Sequence, residues 1–290
     1  LRVPPLRVQR GGEVLSDVFD MLAANVRHPR DFRGDLAAMM GAVRLGARRL
    51  EATIAEFGGD TVARAAEALL DAAERRARAI ISTWRDGTYR GVATLDDDGQ
   101  GRRDIAIRAV VTKKGDGLVV DLSGSDPQST AFVNSSFANM RSGVAMAIAY
   151  LMDPDVPRND GMLRPVEVVA REGTVVWARE GAPVALSTSH CAQEIVEAII
   201  VALAPACPER AMAGWGRRFR IAIKGEDPRT RRPFIWHLFH ARPGGGASSR
   251  GDGWPNAGEW HSAGGIKFGS VEVAEVRFPL HFAHHEFRAG

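Results

Sequence analysis

The sequence predicts an α+β fold, and three observations carry that prediction. Two long segments with helical spacing come early in the chain. At Asp86-Gly87 the apolar period changes from about 3.6 to 2. After that point strands dominate, without the regular strand–helix–strand alternation of a doubly wound sheet. The expected division is a helical region over 1–85, with a long antiparallel helix hairpin, and a mixed, largely antiparallel sheet region with a few helices over 86–290.

The first helix is short: Val14, Val18, Met21 and Leu22 recur at helical steps between Glu13 and Asn25, and His28-Pro29-Arg30-Asp31 closes it. The next stripe is the clearest in the chain. Leu36, Met39 or Met40, Val43, Ala47, Leu50, Ile54 and Phe57 fall on one face, and Gly58-Gly59 ends the run. Asp60 or Thr61 can cap the helix that follows, in which Val62, Ala66, Leu69 or Leu70, Ala73, Ala77, Ile80 and Trp84 repeat the spacing. Two such helices are expected to pack stripe to stripe.

Thr88–Leu95, Ile105–Thr112 and Leu118–Leu122 alternate as strands, separated by the turn clusters at 96–104 and 113–117. A Gly/Ala-rich helix is expected around Ser142–Met152, then strands at Val166–Ala170 and Thr174–Trp177. A helix should run from His190 to Leu203, stopped by Pro205. Further strands are expected at Arg220–Ile223, Phe234–Phe239, Glu272–Arg277 and His281–Phe287, with a Gly-rich loop between Pro243 and Gly253.

Composition narrows the function classes. With 290 residues, 45% hydrophobic and 25% charged, the chain can bury a sizeable core. The pI of 9.2 rests on a net charge of only +3. The arginines are interspersed with acids, and no basic stripe alternates with aromatics, so no nucleic-acid partner is expected. No apolar run approaches the ~18 residues of a membrane span, so no membrane partner is expected either. Cys191 and Cys207 sit in no metal or disulfide spacing, which makes a reducing cytoplasm the expected compartment.

Candidate chemistry is sparse. Asp96-Asp97-Asp98-Gly99 has Ile107 where a calcium loop needs a bidentate Glu, so a hairpin turn is the better reading. None of the eight histidines forms HExxH. Gly244, Gly245 and Gly246, followed by Asp252-Gly253, form a loop whose backbone can approach a ligand closely. That loop lacks the GK[ST] ending of a phosphate-binding loop. Cys191 lies near a helix start, where a thiol can be activated, but a small buried residue is the simpler reading.

Several blocks in order resemble the hydantoinase B/oxoprolinase family. They are Gly34-Asp35-Leu36, Asp86-Gly87-Thr88-Tyr89, Leu95-Asp96-Asp97-Asp98-Gly99, Val120-Asp121-Leu122-Ser123-Gly124, Val133-Asn134, Pro157-Arg158-Asn159-Asp160-Gly161, Gly244-Gly245-Gly246 and Val271-Glu272. Their order and spacing over the whole chain carry the resemblance. It implies the B-type subunit of an ATP-dependent cyclic-amide hydrolase of the hydantoinase or 5-oxoprolinase kind. It also implies a hetero-oligomer with a hydantoinase A-type subunit or domain that binds ATP, and a divalent metal in the parent enzyme. The family's His- and Asp-rich motifs lie upstream of the segment matching Leu1. An interior piece of a larger enzyme is therefore expected, without a metal site or a complete active site of its own. On the same resemblance, Asn134, Asn159, His190 and Asp252 are the expected substrate-binding groups, with the loop at Gly244–Gly246 beside them. At Ser187-Thr188-Ser189-His190 the chain departs from the hydantoinase pattern, which leaves room for an acetone- or acetophenone-type ketone carboxylase. A non-catalytic scaffold is the third reading.

Overall fold

The computed structural model describes residues 3–185, 187–214, 216, 221–237, 244–255, 260 and 269–286. The chain divides into two compact units, Leu1–Ala68 and Leu69–Gly290. The boundary lies inside a helix, upstream of the change of period at Asp86.

In the first unit, β1 (Gln9–Arg10) and β2 (Glu13–Val14) form a small antiparallel hairpin before α1 (Ser16–Ala24). Then come α2 (Pro29–Phe57) and the first part of α3 (Gly59–Ser82). Pro29 opens α2 at a position where its missing N–H is harmless. Both long helices stand where the spacing puts them. No residue of α2 is buried, and α3 buries only Ala73, Ala77 and Ile81, all in its second half. One residue, Gly58, separates the two helices.

The second unit is built on a four-stranded sheet in the order β3 (Gly87–Asp97), β4 (Arg103–Lys114), β5 (Gly117–Asp121), β6 (Val166–Val169). The first two pairings are antiparallel and the last is parallel. The parallel pair requires a crossover, and α4 (Phe137–Leu151) supplies its helix, capped by Ser136, whose hydroxyl accepts from Asn139 N at 3.2 Å. A 3-10 turn at Asp160–Leu163 leads into β6. The helix α5 (Ser187–Leu203) packs on β3, β4 and α4. Between these layers lies one apolar core, including Ile105, Ile107, Val120, Ile148, Ile195, Ile199 and Leu203, joined by Ile81 and Trp84. The helix α5 crosses β3 at Gly91, where an added Cβ would stand 2.0 Å from the Ala198 carbonyl oxygen. Beyond α5, β7 (Ala222–Asp227) and β8 (Arg232–His237) form an antiparallel pair, and α6 (Val271–Arg277) follows.

The 96–102 segment is the expected hairpin turn between β3 and β4. Asp98 is buried there and holds it to the next loop. Its carboxylate accepts from the Gln100 and Arg102 amides and from the Ser129 hydroxyl at 2.6 Å. Three strand expectations are corrected. Residues 271–277 are helical, because Ser270 caps the turn by accepting from Val273 N at 3.3 Å. Thr174 and Trp177 form an isolated bridge, and residues 281–286 carry no strand. Leu238 and Phe239, expected in a strand, lie outside the described residues.

Candidate functional site

Two cavities open in the second unit, and Tyr150 lines both. The first has a volume of about 600 Å³. One wall is a face of α4, where helical spacing aligns Ala145, Met146, Ala149 and Tyr150. Opposite lie the family block Arg158, Asn159, Asp160 and, just beyond it, Met162 and Leu163. Trp260 completes it. The lining is mainly apolar, with a few polar groups, as in small-molecule sites.

The polar residues of this wall are partly occupied by the fold. Asn159 caps the 3-10 turn, accepting from Gly161 N at 3.0 Å, and its amide donates to the Leu69 carbonyl at 3.4 Å. Arg158 donates to the carbonyls of Val156 and Asp153 at 3.2 and 3.3 Å. Trp260 differs from both. Its ring is buried, its Nε1–H finds no acceptor among the described residues, and its carbonyl accepts the Tyr150 hydroxyl. A buried donor left unsatisfied is rare and costly. Burial also pushes the Tyr150 phenol up to about 12, so it stays a neutral donor at any physiological pH.

The second cavity, about 450 Å³, holds the Gly-rich loop: Gly245, Gly246, Ser248, Arg250, Asp252 and Trp254 face Glu209, Arg210 and Met212. Backbone bonds fix this loop, from Gly245 N to Trp254 O at 2.9 Å and from Ala213 N to Ala247 O at 2.7 Å. The glycines are demanded by close approach. A Cβ on Gly246 would sit 1.2 Å from the Ala213 carbonyl oxygen, and one on Gly253 would sit 1.8 Å from that of Gly245. Gly244 lies beside the cavity without lining it. The charged lining is mixed: Arg210 pairs with Asp153 at 2.5 Å, leaving Arg250, Glu209 and Asp252 around the loop.

Of the substrate-binding residues expected from sequence, Asn159 lines the first cavity and Asp252 the second, with Gly245 and Gly246. Asn134 and His190 line neither. Asn134 is fully buried and holds its loop closed, accepting from Ser129 N at 2.7 Å and donating to the carbonyls of Ser129, Ala131 and Pro183. His190 stands in the first turn of α5, its ring edge-on to Phe132 at 6.4 Å. Tyr150 and Trp260 were not foreseen. Cys191 is buried in the core, its thiol 3.4 Å from the Val175 carbonyl oxygen, as a small packed residue would be. Among the described residues no three His, Cys, Asp or Glu side chains are grouped to hold a metal ion. No described helix is long and apolar enough to cross a membrane.

The solved structure of the ATP-dependent caprolactamase from Pseudomonas jessenii matches 96% of this chain and 48% of that one, with a TM-score of 0.88 and 34% identity. The caprolactamase beta polypeptide of that organism is 34% identical over 283 residues, 97% of this chain. The B-type component of a putative D-/L-hydantoinase from a Pseudomonas species, strain NS671, is 32% identical over 225 residues, 72% of this chain and 37% of that protein. An acetone carboxylase structure shares the fold, with a TM-score of 0.82 and 19% identity over 93% of this chain and 38% of that one. The chain spans about half the length of the caprolactamase beta polypeptide, 48% of it. The hydantoinase B/oxoprolinase family model matches residues 1–290. With that match over its whole length, the chain belongs to the hydantoinase B/oxoprolinase family.

Proposed function

We propose that this chain is part of the B-type subunit of an ATP-dependent cyclic-amide hydrolase, working in a hetero-oligomer with an A-type subunit that binds ATP. The observation that carries the reading is the first cavity. It offers an apolar face of α4 and one buried indole donor, Trp260 Nε1, with no acceptor among the described residues. A small lactam has matching chemistry: an apolar ring that favours burial and one strong carbonyl acceptor that would satisfy the indole. Tyr150 positions that indole through its hydroxyl bond to the Trp260 carbonyl. Asp252 and the glycine loop line the second cavity, which shares Tyr150 with the first, and there an opened amide can meet charged and backbone groups. Asn134 and His190 belong to this proposal as supports of the 129–134 loop and the start of α5.

The family resemblance implies a divalent metal. The described residues do not fit one, since no metal-holding group forms among them, and no step is routed through it. ATP would enter through the A-type partner.

The test is reconstitution of the full-length subunit with its A-type partner, followed by lactam-dependent ADP release. A ketone carbonyl would satisfy the same indole, so the substrate decides. Ring-opened amino acid supports the hydrolase, and ADP release that needs a ketone and bicarbonate supports the carboxylase.

A further inference from the structure

We infer that α2 is a self-docking surface on which a second copy of this chain lies antiparallel. From Gly41 to Phe57 every residue of α2 is exposed, the apolar ones included, with Val43 at 74%. Met39, just before this stretch, is 65% exposed. A helix of this length gains little stability in water without a packed face. Its apolar residues run at alternating steps of four and three: Leu36, Met40, Val43, Ala47, Leu50, Ile54, Phe57. That is the core seam of a coiled coil, with Arg44 and Glu51 in the same flanking position, each immediately after a core residue.

Charge selects both direction and register. In an antiparallel pair this flanking position meets its own kind on the other helix. Pairing Met40 with Phe57, Val43 with Ile54 and Ala47 with Leu50 of the second copy fills six layers by symmetry. It also sets Arg44 beside Glu51 of the second copy, twice. A shift by one heptad in one direction brings Arg44 onto Arg44, and in the other Glu51 onto Glu51. A parallel pair would place Arg44 and Glu51 opposite Met39 and Gly46, with no opposite charge. Only the stated register is self-complementary, as a two-fold contact requires. Within the chain, Arg44 uses Nε in a bond of 3.3 Å to Gln9 Oε1 at the surface. This docking does not depend on the proposed function.

The experiment is sedimentation velocity on the chain at about 50 μM, with Arg44→Glu, Glu51→Arg and the double reversal. Helix content by circular dichroism should be equal in all four, because both positions are exposed. The expected wild-type mass is twice 31.3 kDa. Each single reversal sets like charges opposite each other and should weaken the dimer about tenfold or more, and the double reversal should restore it. A monomeric wild type overturns the inference, as it would if another subunit covered α2. So does a dimer indifferent to the reversals, or a double reversal as weak as the singles.

Discussion

Tyr150 and Trp260 are joined twice. The Tyr150 hydroxyl donates to the Trp260 carbonyl, and the two rings meet edge to face with centroids 4.9 Å apart. Among the described residues the buried indole N–H finds no acceptor. The hydroxyl bond fixes the wall common to both cavities, so a change at either residue should be felt in both.

Tyr150 should titrate late. The chain has two tyrosines, so phenolate absorbance near 295 nm is simple to resolve. A component with a midpoint of about 12 is expected, and Tyr150→Phe should remove it. Because the folded value lies above the unfolded value of about 10, the folded state holds this proton longer. Stability is therefore constant below pH ~10 and falls as pH rises from there toward the folded value. Urea midpoints measured across that range in the wild type and Tyr150→Phe check the sign.

Gly91→Ala should be strongly destabilising, although it adds a single methyl group. That carbon would lie 2.0 Å from the Ala198 carbonyl oxygen and 2.6 Å from Ala202 N, both main-chain atoms that no side-chain rotation can move. Separating β3 from α5 should cost about 2 kcal/mol or more, read as a lowered urea midpoint with an unchanged slope.

Both cysteines should be silent to a thiol reagent such as DTNB in the native protein and react together on unfolding. Cys191 and Cys207 are buried, and burial, with Glu209 adding to it, pushes the Cys207 thiol up to about 12. Fast reaction of either thiol at neutral pH without denaturant would contradict the core placement.

Acid should weaken the sheet region through its hydrogen-bonded carboxylates. Asp98 is held below the ordinary aspartate value first by the Ser129 hydroxyl, then by the Gln100 amide. Asp86 is lowered chiefly by the buried Lys113 ammonium, 2.7 Å away. A depressed folded value means stability present above the unfolded value near 4 and lost as pH falls through the folded one. Ser129→Ala should therefore destabilise more at pH 7 than at pH 2.5, where Asp98 is largely protonated in either protein.

Local signals made much of the fold legible. The stripe at Leu36–Phe57, the glycines that end it and the acidic turn between β3 and β4 each act within a few residues. The segment Val271–Arg277 misled because apolar and charged residues alternate over Val271–Val273 and again over Glu275–Arg277, while the Ser270 cap and the buried Ala274 decide for a helix. The packing of α2 was not readable, since an apolar stripe shows that something covers it, not what. At the site, Asp252 and the glycine loop were visible as a loop with unusual backbone demands. Asn134 stands out in the sequence as a polar residue in a turn, and the fold adds that its amide meets four main-chain atoms. Tyr150 and Trp260 lie 110 residues apart and carry no motif, and only the fold brings them together.

The most direct test of the account is the steady-state kinetics of lactam-dependent ADP release by the reconstituted complex, comparing wild type with Trp260→Phe. If the indole donates to the lactam carbonyl, losing that bond should raise KM about tenfold, in keeping with roughly 1–1.5 kcal/mol for one hydrogen bond. ATP affinity should be unchanged, and ring-opened product should equal ADP formed. Unchanged lactam kinetics in Trp260→Phe, or ADP release that requires a ketone and bicarbonate, would contradict it.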